Sequence, residues 1–195
     1  MINFSAADLT YIRGNYFTLE ELCAGREETP VVVRKLIRDR VLPAPPYVLE
    51  DGIEMLPADY FVLVDQAGGA KRLRGHFELR HRVAGGDPAE LEEDWDAYLN
   101  GVYSVCLRQT SPEAMVRKSE LVASLTELLD DPRPENGDWR MRLRREAWEL
   151  DELERQFSPD YDRSERFGES PSRDRLVAAA RDRHADVFAS EVRIG

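Results

Sequence analysis

Tyr16-Phe17-Thr18-Leu19-Glu20-Glu21-Leu22, a short turn, and Pro30-Val31-Val32-Val33-Arg34-Lys35-Leu36-Ile37-Arg38 form the stretch that decides the fold. Thr18 followed three residues on by Glu21 is a capping box, and Leu19, Leu22 and Cys23 continue it as an apolar stripe. Thr29 before Pro30 starts a second helix, because proline's fixed φ suits the first helical turn. On that helix Val32, Val33, Leu36 and Ile37 are expected inward, and Arg34, Lys35, Arg38 and Arg40 mostly outward. Pro43, Pro45 and Pro46 end it. Tyr47-Val48-Leu49 and Ile53-Glu54-Met55 flank Asp51-Gly52, a strong hairpin signal. Pro57 to Val64 reads as one more short helix.

Further along, a basic segment holds Lys71, Arg72, Arg74, Arg80 and Arg82 against the single acid Glu78. Leu73, Phe77 and His81 recur at helical spacing with Gly85 as a fitting C-cap, although the same residues also alternate as a strand would. Helix is the preferred reading, since the only strands nearby belong to the hairpin. Beyond Gly85-Gly86, four amphipathic helices are expected. The first carries Leu91, Trp95, Tyr98, Leu99, Val102 and Cys106 as one stripe. The second carries Met115, Val122, Leu125 and Leu129, and the third Trp139, Leu143, Ala147, Leu150 and Phe157. After a polar, irregular stretch from Ser158 to Ser170, the last carries Leu176, Val177, Ala180, Val187 and Phe188. The expected fold is therefore mainly α: a winged helix-turn-helix with a small β-hairpin over 1–66, a basic connecting segment over 67–86, and a four-helix bundle over 87–195.

Composition limits what such a chain can do. Its 195 residues carry a formal net charge of −11, so its overall field repels nucleic acid and anionic membranes. Within residues 1–65 there are eleven acids against six bases, a net of −5. No stretch approaches the length needed to span a bilayer, and no secretion signal opens the chain, so a cytoplasmic location and no membrane partner are expected. Cys23 and Cys106 sit in apolar-periodic segments and read as two buried thiols in a reducing compartment. The spacing of two Cys and three His fits no metal site, and no phosphate-cradling pattern follows either glycine pair. Neither a metal nor another cofactor is expected.

The layout of capped helix, tight turn, basic second helix and glycine-tipped hairpin resembles the N-terminal domain of MerR-type regulators. That resemblance covers about a quarter of the chain. It implies that the second helix enters the major groove, placing Arg34, Lys35, Arg38 and Arg40 at bases and phosphates and Tyr47 near the wing entry. The hairpin departs from the pattern, because Glu50, Asp51 and Glu54 stand where a MerR wing offers bases. The string Trp95-x-x-Tyr98-Leu99-x-Gly101-x-Tyr103, followed by Val105-Cys106-Leu107 and by Thr110, Pro112, Glu113 and Lys118, resembles a family of small actinobacterial proteins of unknown function. This second resemblance implies no activity; it implies that both halves belong to one unit.

Two functions of different class follow. The first is a winged-helix regulator or adaptor that meets DNA or a protein, its helical part dimerising as a homodimer or sensing a small ligand. The second is a small enzyme or small-molecule-binding protein with its site between the halves. Trp95, Tyr98, Tyr103, Cys106, Arg108 and Lys118 are the candidate pocket for that site, and no catalytic residue is assigned. Lys118 falls on a buried stripe, where a lysine pairs with a carboxylate, has its pKa lowered for chemistry or, as the commoner outcome, snorkels outward. Cys106 has no histidine nearby in sequence to act as its base, and His184 reads as a core histidine. The arginines around Arg163, Arg166, Arg173 and Arg175 are read as pairing with surface acids.

Overall fold

The structure, a computed structural model, describes residues 4–168 and 170–189, so the outermost ends of the 1–66 and 87–195 segments lie outside it. The chain is mainly helical with one small sheet. Helix α1 (Ala6–Asn15) begins at a capping box in which Ser5 and Asp8 exchange hydrogen bonds. Sequence periodicity does not announce this helix, because Asp8 and Ile12 are its only buried residues. Strand β1 (Phe17–Thr18) leads into α2 (Leu19–Cys23), capped by Thr18 and Glu21, and α3 (Pro30–Arg38) starts on Thr29 with Pro30 in its first turn. Only Val33 of α3 is fully buried; Leu36 and Ile37 are partly so, and Val32 faces solvent. Strands β2 (Tyr47–Val48) and β3 (Glu54–Leu56) form the hairpin, with Gly52 at φ +81° in its turn. The sheet order is β1-β3-β2, all antiparallel, with Phe17 opposite Leu56 and Tyr47 opposite Met55.

The helix expected at 57–64 starts later, as α4 (Val62–Ala67), because buried Tyr60 occupies the turn before it and donates its hydroxyl to the Pro43 carbonyl at 2.8 Å. Residues 73–83 are helical: α5 (Leu73–Val83) buries Leu73, Phe77 and His81. The single long helix expected through Cys106 is two, α6 (Leu91–Leu99) and α7 (Val102–Cys106). Gly101 breaks it at φ +73°, and a Cβ there would lie 2.6 Å from the Ala44 carbonyl oxygen. The backbone N–H of Ala44 also donates to the Leu99 carbonyl at 2.8 Å, so the loop after α3 is seated on this break.

The long helices α8 (Pro112–Asp130) and α9 (Gly137–Leu153) pack side by side, and the chain closes with α10 (Ala178–Arg183) and α11 (Ala185–Phe188). Wide π-type turns at Asp162–Arg166 and Arg173–Val177 interrupt the stretch before α10. Of the four expected helical stretches the second forms whole, the third ends at Leu153 short of Phe157, and the first and last are broken at Gly101 and His184; their residues divide between two cores. The first core joins Ile12, Leu19, Val33, Leu56, Phe77, Tyr98, Val105 and Met115. The second joins Leu121, Leu125, Leu143, Leu150, Val177 and Phe188. Residues of 67–86 and of α6 and α7 are thus core members alongside the N-terminal elements.

Candidate functional site

Surface chemistry on α3 was the strongest functional signal in the sequence, and the fold uses most of it internally. Arg34 reaches Glu20 Oε1 at 2.6 Å and Glu54 Oε2 at 2.7 Å, so an acid from α2 and one from the hairpin hold it from both sides. Lys35 pairs with Asp39 one turn on. Arg40 turns to α6, meeting Asp96 at 2.9 Å and Asn100 at 3.2 Å. Arg38 is exposed with no ion pair among the described residues. Tyr47 is not at the surface at all: it is 1% exposed, and its hydroxyl donates to Asp162 Oδ2 at 2.6 Å. Burial pushes its pKa far up, with Tyr16 and Asp162 adding to the effect, so the phenol is held as a donor.

The same N-terminal module exposes apolar side chains. Val31 is 72% and Val32 47% exposed in the first turn of α3, and Phe17, Val48 and Ile53 stand out from the sheet. Phe17 and Ile53 flank a cleft of about 360 Å³ at the end of α1 that Thr18, Glu21 and Leu49 help to line. The basic segment does not add free charge in proportion to its sequence. Arg74 pairs with Glu92, Arg80 is bidentate to Glu113 at 2.7 and 2.8 Å, and Arg82 pairs with Glu78 at 2.7 Å.

The residues named as a pocket have different partners. Trp95 packs edge-on to Phe77 and beside Tyr98, with the Arg74 guanidinium 5.0 Å from its ring. Partly buried Tyr103 donates to the buried Asp94 of α6, whose other oxygen meets the buried His81 Nε2 at 2.9 Å. Cys106 and Lys118 face Glu154. Lys118 does not snorkel into water; its Nζ lies 2.8 Å from Glu154 Oε1, and Glu154 is 1% exposed. Glu154 also accepts from Ser172 Oγ at 2.7 Å and from the Arg173 N–H at 2.6 Å. Burial opposes the Lys118 charge, and Cys106 and Glu154 more than offset it, so its pKa stays above the ordinary lysine value. Burial pushes the Cys106 thiol up despite Lys118, which leaves a weak nucleophile at neutral pH. Both cysteines are free and buried. His184 is half-buried with its ring edge-on to Trp139 at 4.9 Å.

Arg108 goes elsewhere, to a seam the sequence did not reveal. Leu107 and Glu154 form an isolated antiparallel bridge, and the segment after it folds back over the N-terminal elements. Asp8 Oδ1 accepts from the N–H groups of Asp160 and Tyr161 at 3.0 and 3.2 Å. Arg166 donates to the Pro46 carbonyl and lies 4.7 Å from the Tyr47 ring and 5.0 Å from that of Tyr161. Tyr11 donates to the Gln156 carbonyl. Of the loop arginines, Arg163 does pair with a carboxylate, Asp174 at 2.8 Å, whereas Arg166 turns inward to Asp162 at 3.3 Å. The missed residues are Asp8, Arg155 and Asp162. Their only sequence signal was polarity, which a solvated loop shares.

No helix among the described residues is long and apolar enough to cross a membrane. Residues 65–185 match the model of a family described as a family of unknown function. No curated protein and no solved structure matches the chain. The match begins within α4, so α1 to α3 and the sheet lie outside it.

Proposed function

The chain belongs to this family of unknown function (DUF6058), and we propose that it is an adaptor whose N-terminal module binds a protein and not duplex DNA. On this reading α2, α3 and the hairpin are a MerR-like winged helix whose groove-reading face has been converted to protein contact. The observation that carries it is Arg34, fixed between Glu20 and Glu54. A guanidinium already holding two carboxylates has little charge left for a phosphate or a guanine, and displacing the acids leaves them facing the DNA. Glu50 and Asp51 add negative charge at the hairpin tip.

Positive support comes from exposed apolar side chains of the same module. Val31, Val32, Phe17 and Ile53 are exposed on a module that also carries Glu20, Glu21, Glu50 and Asp51, which fits a partner with an apolar patch and a basic rim. A second copy of the chain is a poor occupant, since a two-fold interface would set these acids against themselves. The test is titration of random-sequence duplex DNA into the full chain at low ionic strength, followed by fluorescence anisotropy. No binding is expected. Binding whose affinity falls steeply with added salt would overturn the reading.

A further inference from the structure

Most arginine side chains in this acidic chain end on carboxylates, as Arg26 does on Asp65, Arg117 on Glu149 and Arg140 on Asp186. Arg108 and Arg155 do not. Arg108 donates only to backbone carbonyls, of Glu154 at 3.1 Å and Asp151 at 3.2 Å. Arg155 donates to the carbonyls of Leu107, Asn15 and Arg108, each at 3.4 Å, and stacks over the buried Tyr16 ring at 5.1 Å. Two acids close by in sequence are engaged elsewhere: the Asp151 carboxylate holds Arg173 and Arg181, and Glu154 holds Lys118. Both arginines line one cleft of about 450 Å³ with Tyr11, Asn15 and Gln156, and no carboxylate lines it.

We propose that this cleft is a binding site for a small doubly charged oxyanion, a phosphate either free or carried as a monoester on a small molecule. Carbonyl acceptors orient a guanidinium without cancelling its charge, so two full positive charges face the cleft with N–H donors still unused. The Leu107–Glu154 bridge fixes the two side chains relative to each other, since each arginine follows a bridge residue. Two oriented guanidiniums match a dianion better than a monoanion. An extended polyanion is disfavoured, because the net charge of −11 on the chain repels whatever reaches beyond the cleft. The site is built from α1 on one side and the α7–α8 and post-α9 segments on the other, which is where a ligand would couple the two halves.

The experiment is isothermal titration of inorganic phosphate into the full chain, with acetate at matched ionic strength as the control. Phosphate is expected to bind and acetate not to. Arg108→Gln and Arg155→Gln should each weaken phosphate binding about tenfold or more, the loss expected for a charge-assisted contact. Arg133→Gln, which removes an exposed pair with Asp131, should leave it unchanged. Arg108 is exposed, so its variant separates lost binding from lost folding, and circular dichroism confirms that it is folded. Ribose 5-phosphate binding more tightly than phosphate assigns the site to an ester, and equal affinity assigns it to free phosphate. A folded wild-type chain that gives no phosphate heat, acetate binding equally well, or an Arg108→Gln variant with unchanged affinity would each overturn the proposal. None of these outcomes bears on duplex DNA at α3, so the two readings fail independently.

Discussion

At Tyr47 the phenol oxygen sits 2.6 Å from a carboxylate that water does not reach, and Asp162 also accepts the Ser158 N–H at 2.9 Å. A buried carboxylate that loses a donor bears its desolvation cost uncompensated. Tyr47→Phe is therefore expected to destabilise the chain by about 1–3 kcal/mol in urea denaturation while leaving the ring edge-on to Tyr16. A surface residue poised for DNA would show no such loss. Asp8 makes the companion case. Burial alone would raise its pKa, and the N–H groups of Asp160, Tyr161 and Ser5 reverse this, leaving it below the ordinary 3.8. The folded state therefore holds the Asp8 proton less tightly than the unfolded one does. Its contribution is fully present above the ordinary value and is lost as the pH falls through the lowered one. Urea midpoints measured from about pH 5 down to pH 2 should fall, and Asp8→Asn should flatten that fall while lowering stability at neutral pH. An unchanged acid slope in the variant would remove Asp8 from this role.

Among the elements, the α6–α7 break and α3 are the most instructive. Gly101 looks like a helix interior in sequence, since the apolar stripe from Leu91 to Cys106 runs through it unbroken. What ends α6 is the Ala44 backbone, which occupies the space a side chain would need. Gly101→Ala combines a left-handed φ with that close approach, and should cost roughly 1–3 kcal/mol, read as a lowered thermal midpoint. A neutral result would mean that the loop moves aside freely. On α3 the three bases Arg34, Lys35 and Arg38 were legible from spacing, but the partners of Arg34 were not, because Glu20 and Glu54 lie on two other elements. The variant Glu20→Gln with Glu54→Gln frees Arg34. If in-chain pairing is what keeps α3 from DNA, it should gain weak, salt-sensitive duplex binding that the wild type lacks. Continued absence of binding would move the cause to the hairpin acids.

Over the whole molecule, α8 carries Ala114 and Met115 in one core and Leu121 and Leu125 in the other. A continuous helix cannot lose one end's packing without disturbing the other, and the seam from Glu154 to Arg166 ties the second half back to α1 and the hairpin. Denaturant unfolding is therefore expected to be one transition. Trp95, beside the first core, and Trp139, in the second, allow a direct check: single-tryptophan variants should give coincident midpoints. Separated midpoints would show two independently folding units.

The sequence by itself determined most of the helical stretches, the caps at Thr18 and Thr29, the hairpin turn and the acidic balance. Each of these rests on neighbours a few residues apart: Thr18 on Glu21, Pro30 on Thr29, Gly52 on Asp51. Only the tertiary structure decided which charges are free. Arg34 and Arg108 look alike as single letters in a polar, helix-rich chain. One meets two carboxylates brought from 14 and 20 residues away, and the other meets carbonyls 43 and 46 residues away and keeps its charge. A side chain's net charge toward a ligand depends on what lies within a few ångströms of it, and chain connectivity leaves that to the packing of distant elements.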